Sequence, residues 1–257
     1  MKKRNRHKKQ QGYSNKWNFS LKNRSALTWI SGSLFVCGLA IMAGIYWEKN
    51  ASVNEVRFVN NHFTDEQDLS SVIDAPIGFH PDSVDYRALI QAASSLPYVQ
   101  NAGIRVDARG RMIIDIQERD PIAMLLEDSN RFYFDKYGAI MPIILQKAVN
   151  VPLVHNTGFQ KEDGYLSGSI FETVSDFLVA ARKNEFGWIT ISEVGYNPEE
   201  GVVALSHENG VKLIFGNTGF EEKLTYWKTF YSEVIRKEGI DQFSLIDLRY
   251  RNQIVTR

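Results

Sequence analysis

The residues able to do chemistry in this chain are sparse and poorly spaced for it. His62, His80, His155 and His207 each stand alone in stretches that read as turns or loops, with no second ligand at metal-binding spacing, and are best read as solvated side chains. Glu193, Glu199 and Glu200 offer carboxylates for general acid–base work, but adjacent glutamates beside Pro198 and Gly201 read as a solvated turn. Gly164-Tyr165-Leu166-Ser167-Gly168 lacks the spacing of a nucleophile elbow, and turn geometry explains its small residues. Neither a serine–lysine pair, a zinc-protease helix motif nor a phosphate-binding glycine loop is present. Cys37 is the only cysteine, which excludes an intrachain disulfide and a cysteine metal cluster. No catalytic, cofactor-binding or metal-binding residue is therefore assigned, and an enzyme is not expected.

What remains is binding, and the end of the sequence suggests a mode. Ser244–Arg249 reads as a strand, Tyr250-Arg251-Asn252 as a tight turn and Gln253–Val255 as a short last strand. A terminal strand is often a sheet edge whose free N–H and C=O groups can accept a partner strand. A hairpin covered by its own loop fits the same residues equally well.

The elements that carry this end begin with a membrane segment. Residues 1–25 hold nine Lys and Arg and no acid, and Ala26 to Trp47 follow as 22 uncharged, mostly apolar residues. At about 1.5 Å per residue such a helix crosses a ~30 Å hydrocarbon core. Trp29 near one end and Tyr46 and Trp47 at the other suit the two interfaces, while the basic flank predicts a cytoplasmic N-terminus. A cleaved secretory signal fits less well, because the basic region and the apolar run are both too long and no small-residue cleavage site follows. Topology and anionic headgroups account for the basic tail, so nucleic acid is not an expected partner. Beyond the span, 21 bases face 30 acids, a net charge of −9 behind an overall charge of zero.

About 210 residues remain, and their pattern predicts two α+β domains, 48–119 and 120–257, after a tail of 1–25 and a span of 26–47. Val53–Val59 reads as a strand, and Thr64-Asp65-Glu66-Gln67 has capping-box form, predicting a helix to about Val72. A second helix over Asp85–Ser95 stops at Pro97, and Val99–Val106 with Arg111–Arg119 alternate as a hairpin with one buried face. In the second domain, Arg131–Phe134 pairs with Ala139–Ile144, and Val202–Leu205 with Val211–Phe215 across Asn209-Gly210. Helices over Ile170–Lys183 and Glu221–Lys237 should cover that sheet, with Trp227 and Tyr231 in the core.

The strand–helix–helix–strand–strand order after the span resembles the polypeptide-transport-associated (POTRA) domain. Leu96-Pro97-Tyr98-Val99 with Ala102 is similar to its "lPyV..A" junction, and Glu118-Arg119-Asp120-Pro121-Ile122-Ala123 to the "ER.PIA" exit. Phe134-Asp135-Lys136-Tyr137-Gly138, Val151-Pro152-Leu153-Val154 and Ile246-Asp247-Leu248-Arg249-Tyr250 continue the resemblance, which identifies the chain with the FtsQ/DivIB family of bacterial cell-division proteins over residues 26–257. The resemblance implies a single-pass protein of the bacterial inner (cytoplasmic) membrane at the division septum. Its extracytoplasmic domains would form a non-enzymatic scaffold for small coiled-coil proteins of the FtsB/DivIC and FtsL types, and the membrane-proximal domain would help recruitment. Carried over by position, Arg249, Tyr250, Asn252, Gln253, Ile254 and Val255 form the partner-binding region, with Arg249 available to a partner carboxylate. Longer family members continue past the position matched by Arg257. A transport-associated module serving protein secretion or outer-membrane assembly is the alternative, but it predicts tandem copies of the first domain or a barrel, and one copy is present.

Overall fold

Uncharged from Ser25 to Trp47, the chain forms one helix over Arg24–Lys49 (α1) in the computed structural model, which describes residues 24–127, 130–155, 158–251 and 253–257. Twenty-six residues rise about 39 Å. Every side chain from Thr28 to Lys49 is exposed, and this stretch has a mean hydropathy of 1.8, so α1 is long and apolar enough to cross a membrane. A helix apolar all round has no polar face to give to water.

Residues 52–257 form a second compact unit. Its first layer holds β1 (Glu55–Val59), α2 (Glu66–Val72), α3 (Tyr86–Ala93), β2 (Val99–Val106) and β3 (Arg111–Glu118). The sheet order is β1-β3-β2, with β1 parallel and β2 antiparallel to β3. Parallel β1 and β3 need a crossover, and the two helices supply it. Met112, Ile114 and Ile116 alternate inward from β3 onto Leu69 of α2 and Leu89 and Ala93 of α3. Asp85 caps α3, accepting the Arg87 and Ala88 N–H groups at 3.1 Å. The expected Thr64/Gln67 capping box does not form. Asp65 is the N-cap residue and its side chain caps nothing, while the buried Thr64 hydroxyl is unpartnered. Glu118 at the end of β3 replaces the box: its carboxylate accepts the N–H groups of His62, Phe63 and Thr64 at 2.7–2.9 Å.

The second layer is a nine-stranded mixed sheet. In chain order it comprises β4 (Ala123–Glu127), β5 (Asn130–Phe134), β6 (Ile140–Pro142), β7 (Leu153–His155), β10 (Ile191–Asn197), β11 (Gly201–Ser206), β12 (Lys212–Gly216), β13 (Leu245–Asp247) and β14 (Val255–Thr256). The spatial order is β14-β13-β12-β11-β10-β7-β4-β5-β6, with β4–β7, β7–β10 and β12–β13 parallel. A hairpin of β8 (Gln160–Glu162) and β9 (Tyr165–Ser167) lies outside the main sheet. The helices are α4 (Ser169–Lys183), α5 (Glu185–Thr190) and α6 (Phe220–Phe230), the last continuing through a π-helical turn at Tyr231–Ile235 into α7 (Arg236–Glu238).

Val174, Phe177 and Leu178 of α4 meet Leu224 and Trp227 of α6 in one core with the sheet. Trp227 is fully buried and its indole N–H donates to the Thr190 hydroxyl at 2.9 Å. Tyr231 packs at the border of that core and its hydroxyl donates to Glu208. A third apolar cluster joins the two layers, with Tyr98 and Phe63 stacked at 4.6 Å and packed with Tyr133 and Met141. Burial pushes the Tyr98 phenol up to about 12, and its hydroxyl donates to the Pro142 carbonyl.

Candidate partner-binding edge

Nine strands leave two sheet ends, and among the described residues only the β14 end has no further pairing. At the β6 end, the Ile140 N–H donates to the Gly164 carbonyl and the Leu166 N–H to the Gly138 carbonyl, so the β8–β9 hairpin covers that edge. At the other end β14 pairs with β13, Thr256 opposite Ile246 and Val255 opposite Asp247, and no further strand pairs with it among the described residues. Arg257 exchanges both backbone hydrogen bonds with Leu245 at 3.0 and 3.2 Å. Such pairs alternate along an antiparallel ladder, so Val255 bonds inward to Asp247 and Thr256 between them turns its N–H and C=O outward. Exposed backbone of this kind can receive a strand.

The expected last strand, Gln253–Val255, is thus displaced toward the chain end: Gln253 and Ile254 precede the strand, and Val255–Thr256 form it. Ile254 turns its side chain back onto the main core, while Val255 is 39% exposed and Tyr250 50% exposed. Asn252 lies outside the described residues. Arg249 is committed within the chain. Its guanidinium forks onto Asp247, with Nη2 2.7 Å from Oδ2 and Nε 3.0 Å from Oδ1, and its own N–H donates to the same carboxylate at 3.0 Å. A free Arg249 awaiting a partner carboxylate is therefore not what this geometry offers.

Asp247 is 5% exposed. Burial alone would raise its carboxyl, but hydrogen bonds from the Arg249 side chain and backbone, with the charges of Arg249 and Lys223, outweigh it and hold the group below the ordinary aspartate range. Lys223 in turn is lowered by burial, its ammonium donating to the Phe215 and Thr218 carbonyls at 2.6 Å. Lys212 and Glu200 pair beside them at 2.7 Å. Gly216 lies between these groups at φ +74°, where an added Cβ would come within 3.2 Å of Arg249. Asp247 stood in the Ile246–Tyr250 motif without a role of its own, and Lys223 and Lys212 were not singled out by sequence reasoning. Asp247 and Arg249 are two residues apart at a strand end, and the two-residue period that puts such side chains on one face was the available signal.

The other groups weighed for chemistry are dispersed. Glu193 pairs with His155 at 2.6 Å, Glu200 with Lys212, and the Glu199 N–H donates to Asn197. The His80 ring accepts the Asp82 N–H and starts a short 3-10 turn. No group of three or more His, Cys, Asp or Glu among the described residues could hold a metal ion. In a groove between β3 and α4, Asp135 and Arg182 are engaged in Arg119–Asp135 and Arg182–Asp120 pairs at 2.9 and 2.8 Å, Lys183 pairs with Glu221, and Glu118 already accepts three backbone N–H groups.

Comparison with known proteins gives the lineage. The chain is 22% identical over 245 residues to the cell division protein FtsQ of Salinibacter ruber, covering 91% of this chain and 94% of that one. It is 24% identical over 231 residues to FtsQ of Rhodothermus marinus, covering 87% and 82%. A solved structure of the major extracytoplasmic domain of the trans isomer of the cell division protein DivIB from Geobacillus stearothermophilus aligns at 17% identity, covering 47% of this chain and 97% of that one, with a TM-score of 0.30. The family signature described as FtsQ/DivIB, C-terminal related, matches residues 120–257, more than half of the chain. With its mixed sheet and helices over the matched region, this chain belongs to the FtsQ/DivIB family of bacterial cell-division proteins.

Proposed function

We propose that this protein is a non-enzymatic scaffold of the bacterial division machinery, held in the inner membrane by α1 with its N-terminus cytoplasmic and residues 48–257 outside. In this reading 48–119 is a POTRA-like recruiting domain and 120–257 the partner-binding domain. The β14 edge docks the extracytoplasmic segments of FtsB/DivIC-like and FtsL-like coiled-coil proteins at the septum. One observation carries the docking site: no further strand pairs with β14 among the described residues, and its Thr256 turns its backbone groups away from the sheet. Main-chain hydrogen bonds would supply affinity, while the exposed Val255 and Tyr250 would supply side-chain recognition. Arg249 serves the site from behind, bracing the turn through Asp247.

The test is capture of the tagged full-length chain from membranes, with bound proteins identified by mass. Tyr250→Ala should leave the fold and insertion unchanged and reduce recovery of the small coiled-coil partners. Wild-type recovery from this variant would remove Tyr250 from the interface, and absence of such partners from the unmodified chain would remove the scaffold reading. A reporter active only outside the cytoplasm, fused after Arg257, tests the orientation that nine bases and no acid before Ser25 predict.

A further inference from the structure

Turns are normally built from polar residues and glycine, yet Ala75-Pro76-Ile77-Gly78-Phe79 contains no polar side chain. Ile77 is 51% and Phe79 60% exposed. One exposed apolar residue would need no explanation, whereas two on a single tight turn do. The turn is also held firmly. The Ile77 N–H donates to the Ala75 carbonyl and the Phe79 N–H to the Pro76 carbonyl. Val53 clamps it from both sides, its N–H donating to the Phe79 carbonyl at 2.9 Å and its carbonyl accepting the Gly78 N–H at 2.7 Å. On the next residue, the Asn54 N–H donates to the Gly110 carbonyl, which brings the Asp107–Gly110 turn and its exposed Arg109 to the same segment.

Val53 is four residues past Lys49, the end of α1. An extended chain covers at most about 3.6 Å per residue, so Val53 can lie no farther than about 14 Å from the helix end. Tyr46 and Trp47 in the last turn of α1 are the residue types that settle at a membrane interface. We infer that the Ala75–Phe79 turn is a membrane-contacting wedge, with Ile77 and Phe79 entering the extracytoplasmic interface of the bilayer and Arg109 set among lipid phosphates. Short covalent reach, a clamped apolar tip and a neighbouring cation all select the lipid surface as occupant. This inference rests on the reading of α1 as an anchor.

The experiment uses the full chain with Cys37→Ser and Ile77→Cys, labelled with an environment-sensitive fluorophore and reconstituted into phosphatidylcholine–phosphatidylglycerol vesicles. Some vesicles carry nitroxide-labelled lipid. A chain with Cys37→Ser and the exposed Glu162→Cys, labelled in the same way, is the reference. Protein retained by vesicles through an alkaline wash should show a blue-shifted, nitroxide-quenched label at position 77 and an unquenched one at 162, and adding Phe79→Ser should lower the quenching at 77. Retained protein with position 77 as water-exposed as 162, or with both equally quenched, overturns the wedge and leaves the anchor standing. Protein released by the wash overturns the anchor reading and the wedge with it.

Discussion

Thr256→Pro separates a docking edge from a strand needed for folding. The Thr256 N–H faces away from β13, and its side chain is exposed, so the variant loses no inward hydrogen bond. Its preceding residue, Val255, is already extended, the conformation a following proline favours. The cost to the fold should stay within about 1 kcal/mol, mainly from the fixed φ. A docked partner strand would lose the hydrogen bond from that N–H and meet the pyrrolidine ring. One net hydrogen bond is worth about 0.5–1.5 kcal/mol, and with the displaced neighbouring contact the loss should reach about 1–2 kcal/mol, a 5- to 30-fold weaker complex.

Val255→Pro is the matched control, because its N–H points inward to Asp247. It should cost about 1–2 kcal/mol of stability or free the strand. Urea unfolding of both variants and titration of the full-length chain with a coiled-coil partner segment read the two effects apart. Equal destabilisation by the two prolines would show that the ladder phase is wrongly assigned. Undiminished affinity in Thr256→Pro would place the partner elsewhere.

Three further perturbations follow from the buried polar groups. Asp247 has its folded pKa below the usual 3.8, so its contribution to stability is present above that pH and lost as pH falls through the lowered value; the gap between the unfolding midpoints of the wild type and Asp247→Asn should begin to narrow only below pH 3.8 and close as the lowered value is passed. Glu118→Gln keeps the shape but replaces one of two accepting oxygens by a donor facing the His62, Phe63 and Thr64 N–H groups, and chemical denaturation should reveal a loss of about 1–3 kcal/mol. Tyr98 is held neutral in the fold while an unfolded tyrosine ionises near 10, so its contribution fades as pH rises through that range toward 12. Tyr98→Phe should lose about 1 kcal/mol at neutral pH and show a flatter decline above pH 10.

Local chemistry made much of the fold legible before any coordinates. The helix expected from Asp85 does begin there, with Asp85 as its N-cap, and Met112, Ile114 and Ile116 face inward as their alternation predicts. Asn209 and Gly210 take φ of 58° and 60°, which suits the tight hairpin turn between β11 and β12. What the sequence hid was settled at a distance. Glu118 reaches back 54 to 56 residues to cap the chain before α2, so no local pattern at Thr64 could reveal that its own hydroxyl would be idle. Short α5 and β10 adjoin directly, with Gly187 packed against Leu224, and neither a full helical period nor a clean alternation marks them. The spatial sheet order, which leaves β14 open and β6 covered, depends on parallel pairings across long crossovers.

The displacement of the last strand from Gln253–Val255 to Val255–Thr256 matters more to the site than its size suggests. With the strand at Gln253–Val255, Ile254 would be the residue offering its backbone outward, and a proline there would test docking alone. With the strand at Val255–Thr256, Ile254 anchors β14 through its side chain in the core, so Ile254→Pro would confound packing with docking. A two-residue strand has little hold of its own on the sheet. Its position is set by contacts at its ends: Ile254 in the core on one side, and on the other Arg257, which exchanges backbone bonds with Leu245 and accepts the Ser244 hydroxyl at 3.0 Å. The buried Asp247 fixes the Arg249 turn that leads into this segment. On the proposed reading, a docked strand would complete the weakest end of a nine-stranded sheet. Occupancy should therefore slow hydrogen exchange at the Val255 and Arg257 amides, which face inward and touch no partner, as well as at Thr256; protection confined to Thr256 would mean that the partner rests on the edge without stabilising it.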